Sequence, residues 1–184
     1  MEFIKHPYLT GKHALFSASQ SQWLRYSDEK LIAKKEEMTA QERGTKIHEW
    51  AKMSIDLCIK QPRSKKTLYA YVNDAIGFKM NTEVILYYSD RFFGTADAIS
   101  FRRGMLRIHD LKTGKVGKIE KHIDQLVVYA ALFCLEYSVN PEDIKTELRV
   151  YKQDEVLVHD TEPEEIREVM DRIIYIDNLL NDIE

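Results

Sequence analysis

FFGTADAISFRRGMLRIHDLK, Phe92–Lys112, reads as two β-strands joined by a tight turn. Phe92–Phe101 reads as one strand and Met105–Leu111 as the next, and Arg102-Arg-Gly104 supplies the tight turn between them. So short a connection makes the strands Phe92–Phe101 and Met105–Leu111 antiparallel, with residues whose numbers sum to about 207 facing each other. That register puts Asp97 beside Asp110 on the neighbouring strand. Side chains alternate along a strand, so Asp110 and Lys112 share a face. A lone D-x-K is most often a surface ion pair. Asp97 changes that reading, because it interrupts the apolar run Ala96-Asp-Ala-Ile99, where a carboxylate is costly unless paired or bound to a cation.

Working outward, Thr82–Tyr88 is a further strand on the N-terminal side. Before it, Thr39-Ala-Gln-Glu42 has the form of a capping box and opens a helix reaching about Ile59, and residues 67–79 form another helix. Ser17, Ser19 and the residues around Trp23 suggest a short helix. On the C-terminal side come a loop at 113–117, a helix over Lys121–Tyr137, two paired strands at Ile144–Lys152 and Val156–His159, and a last helix after Thr161-Glu-Pro-Glu164. A strand following a crossover helix lies parallel to an earlier one. The order predicts an α/β fold: a mixed central β-sheet flanked by helices, in a single domain over 1–184 with the acidic helix 161–182 as an appendage.

Asp97, Asp110 and Lys112 on one face make a compact, oxygen-rich site for Mg²⁺ or Mn²⁺, as one or two ions. Such a site suits phosphodiester hydrolysis: the cation activates water and neutralises charge on the phosphate, while Lys112 positions the water or offsets that charge. Asp74 and Asp124 read as solvated, Glu49 as pointing away from His48, and Glu83, at the strand edge, as either an extra acid or, more commonly for such a place, a solvated one.

Four ordered stretches then carry a resemblance: Gly44-Thr-Lys-Ile-His48-Glu49, Gly94-Thr-Ala-Asp97-Ala-Ile, Ile108-His-Asp110-Leu-Lys112-Thr-Gly, and His122-Ile-Asp-Gln125-Leu-Val-Val-Tyr129-Ala. Together they resemble the PD-(D/E)xK nuclease superfamily, in particular its RecB/Cas4-like exonuclease branch and the phage-associated DUF2800-like proteins. The stretch from His13 to Leu24 resembles the opening of the last group. The likeness covers residues 11–137. It implies a restriction-endonuclease-like core. It also implies Asp97 and Asp110 as metal-binding acids, Lys112 as the motif lysine, His48 and the Leu111 carbonyl as further metal ligands, and Gln125 and Tyr129 as residues that orient water, lysine or DNA. Tyr129 reads equally as core packing. Lys115, Lys118, Lys121 and His122 form a basic stretch suited to DNA phosphates, or equally to a solvated loop.

Composition fits this picture. Residues 1–139 hold 22 Lys+Arg against 16 Asp+Glu, a balance of +6, while residues 140–184 carry −9, giving the net −3. The asymmetry is compatible with a polyanion site on the body, and also with nothing more than a solvated acidic helix at the end. Cys58 and Cys134 read as two buried free thiols, too few for an iron–sulfur cluster or structural zinc. There is no P-loop, no apolar run long enough for a membrane span and no secretory leader, so the expected location is the cytoplasm of a bacterial or phage-infected cell. The function expected is a metal-dependent DNA exonuclease in recombination or DNA processing, working as a homo-oligomer or beside a separate recombination protein. The alternatives are a structure-specific endonuclease or nickase, an RNA nuclease, and an inactive module that binds DNA or protein.

Overall fold

The computed structural model describes residues 14–114 and 118–181, together with Pro7. The chain divides into two compact units, Met1–Lys46 and Ile47–Glu184.

The first unit holds a 3₁₀ segment, Ala18–Arg25, and the opening turns of helix α1, Asp28–Asp56. The Trp23 indole donates to the Ser17 carbonyl at 2.9 Å and lies 6.0 Å from the Phe16 ring. Ser27 Oγ accepts from the Lys30 N–H at 3.4 Å, and Asp28 and Glu29 occupy the first turn, where the helix dipole favours acids. The expected capping box at Thr39 does not form. Thr39 lies inside the helix, and its hydroxyl donates back to the Lys35 carbonyl at 2.9 Å. Its signal misled because residues 28–38 are too polar to show a helical apolar period.

The second unit contains the end of α1, then α2 (Thr67–Gly77), β1 (Asn81–Ser89), β2 (Phe92–Arg102), β3 (Met105–Lys112), α3 (Ile123–Tyr137), β4 (Lys145–Lys152), β5 (Glu155–His159) and α4 (Pro163–Asn181). Its five strands form one mixed sheet in the order β1-β2-β3-β4-β5. Neighbours are antiparallel except β3 and β4, which run parallel because α3 crosses between them. The β2–β3 turn places Arg103 at φ 51° and Gly104 at φ 74°, the paired positive values of a two-residue hairpin.

Helices cover both faces of the sheet. On one, Leu106 and Ile108 of β3 pack with Leu126, Ala130 and Cys134 of α3 and with Ile166 and Ile173 of α4. On the other, Ala98, Leu111 and Tyr151 pack with Ala51 and Ile55 of α1 and Tyr71, Val72 and Ala75 of α2. Helix α4 is therefore part of the core and not an acidic appendage. Its N-terminus is closed by the Glu165 carboxylate accepting from the Glu162 N–H at 3.2 Å, while the Thr161 hydroxyl is buried without a partner. Two further expectations are corrected. Cys58 is exposed, because α1 ends at Asp56, before the residue can turn inward. Asp74 is not solvated but accepts from Arg149 Nη1 at 2.9 Å and from the Tyr151 phenol at 2.7 Å. Among the described residues, no helix is long and apolar enough to cross a membrane.

Candidate active site

The β2–β3 ladder pairs Ala98 with His109, Ile99 with Ile108 and so on to Arg102 with Met105, and it stops at Ala98. Alternation also breaks there: Ala96 belongs to the core under α3, and Ala98 to the core under α2. Across the other edge, Glu83 takes a positive φ of 49°, and in the β1–β2 register Asp97 is unpaired between Thr82↔Ala98 and Val84↔Ala96. Asp97 is thereby released from the ladder. Its Oδ2 accepts from the Leu111 N–H at 3.0 Å, which brings it against the residue that follows Asp110. His48, near the end of α1, sets its Nδ1 3.5 Å from the same oxygen.

Asp110 is 3% exposed. Its Oδ1 accepts from Lys112 Nζ at 3.0 Å, and its Oδ2 is buried with no hydrogen-bond partner. Burial holds the Asp97 carboxyl above the ordinary carboxylate range, and the nearby Asp110 charge raises it further. The Leu111 N–H, His48 and Lys112 pull the other way. Tyr71 of α2 feels both acids: its phenol is pushed up first by burial and then by Asp97 and Asp110. The two carboxylates thus act within one low-dielectric neighbourhood.

Lys112 also donates to Gln125 Oε1 at 3.0 Å. Gln125 Nε2 donates to the Tyr129 phenol oxygen at 3.2 Å, and that phenol donates to the Thr95 carbonyl at 2.7 Å. The i, i+4 spacing of Gln125 and Tyr129 on α3 makes this possible. His122, just before α3, has its pKa lowered by burial and then by the Lys112 and Lys152 ammonium groups. Lys118 and Lys121 are exposed beside it. Lys115 lies outside the described residues.

Lys152 is a residue the sequence reading did not single out. It is 5% exposed and stands level with Lys112 in the parallel β3–β4 ladder. No local motif marks it, since its place beside Lys112 depends on the register of two strands separated by a helix.

Among the described residues, no group of three or more His, Cys, Asp or Glu side chains is disposed to hold a metal ion as the side chains stand. The acids are turned to other partners: Asp97 to the Leu111 amide and His48, Asp110 to Lys112. Even so, the donor set fits a hard divalent cation. Asp110 Oδ2 is an acceptor with no donor, and a second carboxylate nearby is held above its usual range first by burial and then by the Asp110 charge.

Comparison with known proteins finds no family model that matches the chain and no match among curated proteins.

Proposed function

We propose that the chain is a divalent-metal-dependent deoxyribonuclease on a restriction-endonuclease-like core, acting as an exonuclease in DNA recombination or processing. One observation carries this reading. A buried carboxylate, Asp110, gives one oxygen to a lysine and keeps the other without a partner, beside a second acid, Asp97, whose own ionisation it opposes. A purely structural ion pair has no need of the second acid or of the unpartnered oxygen.

Asp97 and Asp110 would hold Mg²⁺ or Mn²⁺, with His48 and the Leu111 carbonyl as further ligands. When bound, such an ion supplies Lewis acidity toward the phosphate and lowers the pKa of a water on it. The chain's own groups do the rest. Lys112, fixed between Asp110 and Gln125, presents an ammonium where negative charge develops on the phosphate oxygens. Lys118, Lys121 and His122 flank it as phosphate contacts that set the register of a strand without reading its sequence.

The test pairs end-labelled linear DNA with covalently closed circular DNA and a matched RNA, each with Mg²⁺ or Mn²⁺ against EDTA. The expected result is cleavage of linear DNA that requires the metal and falls to background in Asp110→Ala. Cutting of the closed circle would assign an endonuclease instead, and preference for RNA a ribonuclease. Cleavage that survives Asp110→Ala, or none with either metal, removes the proposal.

A further inference from the structure

We infer that Gly94 is a positioning residue for Lys112: the space left by its missing side chain seats Tyr129 so that the phenol and the Gln125 amide hold the lysine against Asp110. The functional meaning rests on the nuclease reading above, while the geometry stands without it.

The hydrogen-bond polarity of this relay is fixed from both ends. A backbone carbonyl only accepts, so the single phenol proton of Tyr129 goes to Thr95. The phenol oxygen is then left as an acceptor and takes a proton from Gln125 Nε2. That orients the amide with its carbonyl oxygen toward Lys112, and an ammonium, which only donates, is what that oxygen meets. A flipped amide would set NH₂ against NH₃⁺. Lys112 is thus held at 3.0 Å from both Gln125 Oε1 and Asp110 Oδ1.

Gly94 supplies the room. A Cβ there would lie 2.8 Å from Tyr129 Cε1 and 3.6 Å from the phenol oxygen. The ring would have to move, and its phenol is tied by the 2.7 Å bond to Thr95, the next residue of the same strand, so the shift falls on that bond. One strand segment therefore provides both the clearance and the anchor, and α3 transmits the position to a lysine on β3.

The rival account is a simple clasp tying α3 to β2, with no effect on the lysine. Side-chain ammonium NMR of the ¹⁵N-labelled full chain at low temperature separates the two, with the Lys112 signal assigned by its loss in Lys112→Arg. In Gly94→Ala and in Tyr129→Phe, the Lys112 ammonium protons should exchange with water about tenfold faster, roughly the factor one charge-assisted hydrogen bond contributes. The double variant should be no faster than either single one, because both break the same relay. Tyr129→Phe keeps the ring and all packing, so it decides the matter if Gly94→Ala does not fold. A lower melting temperature with unchanged Lys112 exchange overturns the inference, as does a Lys112 ammonium already unprotected in the unsubstituted chain. Failure of the unsubstituted chain to cleave DNA would strike the nuclease reading and leave this measurement standing.

Discussion

Replacing His109 with leucine should flatten the acid sensitivity of the fold. His109 is fully buried on β3, between the carboxylate-bearing end of that strand and the ring layer of Phe78 and Tyr151. Its Nδ1 is 3.3 Å from the Tyr151 phenol oxygen, and its Nε2 has no partner. Burial, then the Arg149 and Arg107 charges, push its pKa down from 6.5 to about 3. In that window the unfolded chain binds a proton and the folded chain does not. Stability therefore falls as the pH drops below 6.5, and the loss is complete near 3. At about 1.4 kcal/mol per unit, the whole window amounts to about 5 kcal/mol. Between pH 7.5 and pH 5 the share is about 2 kcal/mol. Leucine is near in volume and removes the unpartnered nitrogen, and Tyr151 keeps its bond to Asp74. Urea unfolding of both proteins at the two pH values reads the effect: the unsubstituted chain should lose about 2 kcal/mol more than the variant on acidification. Equal losses would mean that His109 is not held neutral by its surroundings, and the reasoning from burial would be wrong.

Thiol chemistry gives a second check. Cys58 is exposed, whereas Cys134 is 1% exposed with its thiol pushed up to about 11 by burial. A chromogenic disulfide reagent at pH 8 should titrate one thiol in the folded chain and two in denaturant, and prompt reaction of both in the native state would contradict the packing of α3. Asp74→Ala should cost about 1 kcal/mol in urea unfolding, because it removes one carboxylate from Arg149, which keeps Glu147, and leaves the Tyr151 phenol facing only His109 Nδ1. A cost within the range of ordinary surface substitutions would show that solvent replaces Asp74 freely.

Strand order along Phe92–Lys112 was legible because its signals are local. Alternation, a glycine turn and a short connection fix antiparallel pairing, and the observed pairs from Ala98↔His109 to Arg102↔Met105 sum to 207, as read. The polar first half of α1 was not legible, since a helix with little apolar period leaves little trace in a pattern search. The acidic last helix was misread for the opposite reason: its charge stands out, while Ile166 and Ile173 reveal their burial only when α3 is beside them.

The candidate site divides in the same way. Residue spacing alone put Asp110 and Lys112 on one strand face and Gln125 and Tyr129 on one helix face, because period two and period 3.6 are properties of the local backbone. Nothing local could show that the ladder would open at Asp97, that its carboxylate would take the Leu111 amide, that Gly94 would make room for the Tyr129 ring, or that Lys152 would stand beside Lys112. Those facts depend on how a strand, a helix and a second strand far apart in the chain come to share one small volume. Packing selects that arrangement, and periodicity carries no record of it.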